Sequence, residues 1–332
     1  MDGQQSFRGE AALSSRNLTK EANLLARLDR MPLTKTTVVI VGLIILAWLV
    51  ESFDIGIVGT IVLTLKGLWH LTPAQVGLLG SSSTIGIVIG LLPAGRLADR
   101  FGRKTVLLWG MAIFAVFTVA SVLATGFAML LAFRFIAGLG EGAVFPLPYL
   151  MFSEFVNSHR RGQANGWAEL ILTGGYTLPS LAGLWATTTF PAAFAWKVPL
   201  IIGAVPLLLI PPIARWVPES PRYLLKQGKV DEVERLVLRL EDEARVAHDE
   251  NLLNPQALKV LEAMEGKPVS ARWLFRPPYL RRSVVSYAAL TSTFILWYAM
   301  LTYAPTIFTL MGAKANNALL FTASMMFIAG FG

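Results

Sequence analysis

Five ionisable side chains lie inside long apolar stretches of this sequence: Glu51, Asp54, Arg134, Glu141 and Glu169. A charge in hydrocarbon is costly, so such residues mark proton or solute pathways unless they sit at water-filled helix ends. Two of them can meet. At 1.5 Å per residue, Asp54 stands about 24 Å along a helix entered near Val38. Arg134 stands about 10 Å along one entered from the opposite side near Phe127. In a hydrocarbon core about 30 Å thick the two levels agree within a few Å. An acid facing an arginine in low dielectric is held ionised, and parting the two favours proton uptake. Asp54 and Arg134 are therefore the candidate proton-coupling pair, with Glu169 a second coupling or solute-site group. Glu51, Glu141, Glu169, Tyr176, Trp297 and Tyr298 are candidates for contacting a solute, the aromatic rings by stacking on a planar one.

The elements that must carry these groups are seven apolar stretches, near 37–63, 76–95, 105–124, 127–152, 164–187, 197–214 and 283–310. Each is close to the roughly 20 residues a membrane helix needs. An eighth begins near Asn317 and still runs at Gly332. With 54% apolar and 15% charged residues and a mean hydropathy of +0.57, the chain reads as an all-α polytopic membrane protein. Four parts follow: a leader over 1–35, a six-helix bundle over 36–216, a polar linker over 217–281, and a partial second bundle over 282–332. The linker predicts helices at 230–247 and 254–264. In the leader, Leu18, Ala22, Leu25 and Leu28 predict a short amphipathic helix on the inner membrane surface.

The net charge of +8 does not imply a nucleic-acid partner. With the N-terminus inside and the spans alternating, every Lys and Arg falls in cytoplasmic segments except Lys66, Lys197, Lys314 and the intramembrane Arg134. That asymmetry is the positive-inside rule, and it places the chain in an inner or plasma membrane with its N-terminus in the cytoplasm. The leader is too long to be the front of a signal peptide. No cysteine is present, so disulfide and thiolate chemistry are excluded. His70, His159 and His248 lack metal-ligand spacing, no phosphate loop follows a strand, and no nucleophile and base stand together. Neither a metal nor a cofactor nor an enzymatic activity is expected, and the chain reads as a monomer. Trp69, Trp196 and Trp216 sit at span ends as interface anchors. Pro93, Pro146, Pro148, Pro179, Pro206 and Pro305 are positioned to bend helices, with Pro146 and Pro148 the expected gating bend.

Between the second and third stretches the chain reads Gly95-Arg-Leu-Ala-Asp99-Arg100-Phe-Gly102-Arg103-Lys104-Thr-Val-Leu107, a short basic loop with turn-permitting glycines. It fills all nine specified positions of G-x-L-A-D-R-x-G-R-K-x-x-L. With that string the sequence resembles the major facilitator superfamily, in which it joins the second and third helices. Further strings point to its sugar-porter-like and metabolite:proton symporter branches. Phe53-Asp54 resembles their first-span acid motif. Arg134 to Gly142 resembles their fourth-span R-x-x-x-G-x-G-x-G. Glu154 with Arg161 and Gly162 fits E-x6-R-G, and Pro218-Glu219-Ser220-Pro221-Arg222 matches P-E-S-P-R. The resemblance implies a twelve-helix fold in two halves around a midplane site, and proton coupling through Asp54 and Arg134. It also implies a conformational gate of Gly95, Asp99, Arg100, Gly102, Arg103, Glu154, Arg161, Glu219 and Arg222. Asp99 and Arg103 would meet the end of an eleventh span. By that plan four helices are still to come after the eighth, and the chain is expected to be truncated.

Where sugar porters of this resemblance carry glutamine, position 169 is Glu, and Ser292-Thr293 precedes Trp297-Tyr298 in place of a Gln pair. The resemblance therefore leans toward carriers of nicotinate and of aromatic or other small organic acids, moved with protons by alternating access. Tyr303-Ala-Pro305-Thr-Ile-Phe308 remains sugar-porter-like, so a sugar carrier of the same fold stays open. So does a non-transporting sensor signalling through 217–281, or a truncated remnant.

Overall fold

The computed structural model describes residues 20–250, 252, 275–277 and 279–330. A first helix, α1, passes through residues 20–29. The long helices begin where local chemistry satisfies free backbone N–H groups. Thr34 caps α2 (Lys35–Leu68) by accepting from the Thr37 N–H at 3.1 Å. Thr72 and Gln75 form a reciprocal capping box on α3 (Pro73–Phe101), with Pro73 in the first turn. Then follow α4 (Arg103–Ser121), α5 (Phe127–Val144), α6 (Leu147–Phe155) and α7 (Arg161–Thr189). Three pieces, α8 (Ala192–Ala195), α9 (Lys197–Ile202) and α10 (Val205–Trp216), make the sixth crossing. On the polar side lie α11 (Pro221–Lys226) and α12 (Val230–Ala244), and then α13 (Leu280–Leu310) and α14 (Ala315–Ala329).

Among the described residues six segments are long and apolar enough to cross a membrane: α2, α3, α4, α5 with α6, α8 through α10, and α13. The stretch expected near 164–187 forms the 29-residue α7, whose first turns carry Gln163, Asn165 and Glu169 and dilute its apolar character. The expected fourth span is broken at Phe145-Pro146, where Pro146 cannot continue the hydrogen-bond ladder. Pro93, Pro179 and Pro305 instead lie inside unbroken helices.

Three expectations are corrected. The charged string at 95–107 is no loop: α3 runs through Asp99 and Arg100 to Phe101, and α4 starts at Arg103. Only Gly102 interrupts them, at φ +97°, a backbone shape that glycine alone adopts at little cost because it has no Cβ. The apolar face of the leader helix is covered by protein rather than left for a membrane surface. Its Ala22, Leu24 and Leu28 are buried against Leu224, Val233, Val237 and Leu240 of α11 and α12. Leu18 lies outside the described residues, as does the helix expected at 254–264. Trp196 is not an interface anchor facing lipid; it is 3% exposed and packs edge-on to Trp69 at 5.4 Å.

Within lipid, helix association rests on close packing rather than on expulsion of water. The helices accordingly pack α3 and α4 on α5, α7 on α2, and α14 on α7. Two apolar layers result. One gathers Ile44, Ala47, Leu107, Met111, Phe114 and Phe152; the other gathers Ile57, Ile61, Leu65, Leu79, Leu130 and Leu200. On α2 the seam between them falls at residues 51–54, and there the ionisable groups sit.

Candidate functional site

Arg134 is fully buried on α5 and reaches three neighbouring helices. Its Nη2 donates to Asp54 Oδ2 on α2 at 2.9 Å and to the Asp54 carbonyl at 3.3 Å. Its Nη1 donates to Thr118 Oγ1 on α4 at 2.9 Å, and the Thr118 hydroxyl in turn donates to Asp54 Oδ1 at 2.7 Å. Its Nε donates to Ser83 Oγ on α3 at 3.3 Å, while that hydroxyl donates to the Arg134 carbonyl at 3.2 Å. Glu141 Oε1, two turns along α5, lies 3.4 Å from Nη2. Protein groups thus engage every nitrogen of the guanidinium, as its burial requires.

The backbone lets it do so. A Cβ on Gly138 would stand 2.2 Å from the Ser83 carbonyl oxygen, and one on Gly142 would stand 2.1 Å from that of Ile87. Only bare helix surfaces bring α3 and α5 this close, and that approach puts Ser83 within reach of Arg134.

Glu51, one turn before Asp54, is 1% exposed, and neither carboxyl oxygen has a partner among the described residues. Glu141 Oε2 is likewise unpartnered. Asp54 and Glu141 thus share one cation, and Glu51 lies unpaired beside them in the same buried layer. Beside them Tyr176 of α7 meets Trp297 of α13 edge-on, with centroids 5.7 Å apart. The two join Ile55, Ile87, Leu301, Met326 and Tyr298 in one apolar contact spanning α2, α3, α7, α13 and α14. Glu169 is not drawn in. It is exposed, on the same face of α7 as Tyr176 but about 10 Å away along the axis. The arrangement can hold or exchange a proton between carboxyl groups and can present an aromatic surface to a flat solute. No group of three or more His, Cys, Asp or Glu with metal-binding geometry occurs among the described residues.

A second polar cluster ties together the helix ends that face α11. Arg103 makes an ion pair with Glu154, whose other oxygen accepts from Ser220 Oγ at 2.6 Å and whose first lies 3.8 Å from Arg222 Nε. Glu219 Oε1 accepts the Lys104 N–H at 2.9 Å, so a carboxylate caps α4. A Cβ at Gly102 would strike Glu219 Oε2, a second reason for glycine there. Asp99 lies 3.5 Å from Lys226, an exposed pair of little energetic weight. The Arg100 carbonyl accepts from Tyr223 Oη at 3.1 Å. Arg161 lies 3.7 Å from Asp29 of α1. Gly95 is exposed, with open space where a Cβ would be. Asp99 and Arg103, expected to meet an eleventh span, are here engaged by Lys226 and Glu154.

Thr118, Ser83, Ser220, Tyr223, Lys226 and Asp29 were not anticipated. Ser220 stood within a recognised string. Thr118 and Ser83 carry one signal: each is a hydroxyl in an otherwise apolar helical face, where it needs a partner.

The sequence model of the Major Facilitator Superfamily matches residues 39–332. The chain is 32% identical to the "Niacin transporter NiaP" of Acinetobacter baylyi, over 87% of this chain and 64% of that protein. It is 28% identical to the "4-hydroxybenzoate transporter PcaK" of the same organism, over 93% of this chain and 67% of that one. The chain therefore spans about two thirds of the length of these relatives. In fold it resembles the xylose transporter XylE of E. coli in a partially occluded inward-open conformation, with a TM-score of 0.68 and 20% identity over 90% of this chain and 71% of that one.

Proposed function

Because the chain belongs to the major facilitator superfamily, a multi-pass membrane carrier family without enzymatic chemistry, we propose that it takes part in moving a small organic acid with protons by alternating access. The N-terminus would face the cytoplasm and the bilayer would be the inner or plasma membrane. The observation that carries this reading is the Asp54–Arg134 pair, fully buried at 2.9 Å between α2 and α5. An ion pair in hydrocarbon is expensive and not needed for packing, so its retention points to use.

In this reading Asp54 loads a proton when rocking of the helices draws Arg134 away and releases it when the pair re-forms. Arg134 is the counter-charge. The flat solute rests on Tyr176, Trp297 and Tyr298. Glu51 and Glu141, in their neutral forms, donate hydrogen bonds to its carboxylate. Glu169 stands on the way out as a secondary group. The Arg103–Glu154–Ser220–Arg222 cluster and the Glu219 cap close the inner side, with Gly95, Asp99, Arg100, Gly102 and Arg161 shaping the same face. The niacin and 4-hydroxybenzoate carried by the two relatives, as their names state, are planar acids and support this solute class.

The test is uptake of labelled nicotinate and 4-hydroxybenzoate into proteoliposomes with an imposed inward proton gradient. Asp54→Asn should abolish accumulation above equilibrium while sparing exchange. Full accumulation by that variant refutes the coupling role. Inhibition by pentoses or hexoses but not by aromatic acids replaces the acid reading with the sugar one.

A further inference from the structure

A cavity of about 390 Å³ opens where the start of α2, the end of α10 and the outer side of α12 converge. Lys35, Arg215 and Arg239 line it, together with Thr36, Val39 and Trp216. All three cations are exposed, and none joins an ion pair among the described residues; neighbouring Arg27 and Arg30 are spent on Glu241. No acid lines it, and Glu243, whose carboxylate accepts from the lining Thr36 N–H at 3.0 Å, is the acid bonded to its wall among the described residues. The helix terminus is thus already served, and the cavity keeps an excess of about two positive charges from side chains that form no ion pair among the described residues.

Its wall changes character along the bundle axis. Lys35 and Arg215 stand at the ends of membrane-crossing helices. One turn further into the span on α2, Val38 and Val39 are 55% and 45% exposed, and Trp216 is 55% exposed at the end of α10. Cations at the boundary, an amphipathic ring beside them and open aliphatic surface one turn deeper reproduce the order of charge and hydrocarbon in a phospholipid. A site for a free anion would have no use for an apolar lip opening sideways from the bundle.

We propose that this cavity seats the headgroup of an anionic glycerophospholipid, its phosphate among Lys35, Arg215 and Arg239 and its upper acyl chain along Val39 and Trp216. The lipid would bridge α12 to two membrane helices, fastening the polar segment to the bundle. The inference rests on the multi-pass reading and is independent of what is transported.

The test is native mass spectrometry of the full chain titrated with phosphatidylglycerol or with phosphatidylcholine of identical acyl chains. Each cation near an anionic headgroup contributes about fivefold in affinity. The double variant R215Q/R239Q should therefore lose about twenty- to thirtyfold of the preference for phosphatidylglycerol. R281Q/R282Q removes the same charge at the start of α13 and should keep the preference within about twofold. Should the first double variant fail to fold, judged by its melting temperature, K35Q alone should lose about fivefold. Equal binding of the two lipids by the unmodified chain overturns the proposal. So does equal loss in both double variants, or displacement of the lipid by millimolar glycerol 3-phosphate, which would make this a site for soluble anions.

Discussion

Replacing Arg134 with methionine removes the one cation from a closed layer that holds three carboxyl groups, and the geometry sets the size of the effect. Asp54 would lose the donors at 2.9 and 3.5 Å and keep only Thr118 at 2.7 Å; Glu141 would lose its contact at 3.4 Å. Breaking a buried pair from one side costs about 3–5 kcal/mol, most of it the stranded charge. Asp54→Asn alone should cost about 2 kcal/mol, because Thr118, Ser83 and Glu141 still engage the guanidinium. Were the two residues independent, the double variant would fall by the sum, about 6 kcal/mol. Since the cost of each single variant is largely the partner left behind, the double should instead lie near about 3–4 kcal/mol, a coupling of at least about 2 kcal/mol. Equilibrium unfolding in mixed micelles, followed by tryptophan fluorescence, measures all four corners of the cycle. A double variant within about 0.5 kcal/mol of the simple sum would refute the claim that acid and guanidinium stabilise one another.

Gly142→Ala should lower stability by about 1–3 kcal/mol or more, since its Cβ meets the Ile87 carbonyl, which cannot move without the helix. Gly174→Ala, facing open space, should be neutral or better in the same melting experiment. Glu154→Gln weakens the buried pair with Arg103 and should loosen the inner helix ends. The natural absence of cysteine allows a single Met151→Cys reporter, fully buried here, whose alkylation should quicken several-fold; an unchanged rate counts against a closing role for the cluster. The Arg27 guanidinium beside Glu241, with help from His248 and Arg30, draws the Glu241 carboxyl down to about 2 from its usual 4.5. A depressed acid adds stability that is complete above its unfolded value and fades as pH falls through its folded one. The docking of α1 should thus weaken by on the order of 2 kcal/mol between about pH 5 and pH 2. Proteolysis of α1 tracks this, and in Glu241→Gln the docking should be weak already at neutral pH, with the acid transition gone.

The membrane helices were legible because a run of roughly twenty apolar residues has few other fates. Asp54 and Arg134 were legible for a related reason: in hydrocarbon, depth follows from residue count, and two opposite charges at one depth have strong cause to meet. Their hydroxyl partners were not. Thr118 and Ser83 look like small fillers until the crossing of α3, α4 and α5 is known, and that crossing is set by where glycines let backbones touch. The C-terminal end of α3 was misread because charge density suggests a loop, whereas a helix stops only where its backbone must change. Asp99 and Arg100 tolerate helix well, and Gly102 alone adopts the positive φ that ends it.

The leader shows the same limit more sharply. Spacing at Ala22, Leu25 and Leu28 reveals that a helix has an apolar face, but not what covers it. A bilayer surface and a partner helix ask for the same stripe. What separates them is polar: a membrane-surface helix keeps its cations outward, toward lipid phosphates. Here Arg27 is 3% exposed and turned into α12, where Glu241 is fully buried to receive it. That pairing joins residues more than two hundred positions apart, and no local pattern carries it. Asp29 of the same helix accepts from the Ser158 N–H and hydroxyl at 2.9 and 2.7 Å, so α1 grips the turn before α7 as well as the linker. The polar residues of α1 therefore fasten it both to α12 and to the turn before α7. A change in α1 that spares every apolar residue, such as Arg27→Gln, should release it as fully as deleting the stripe.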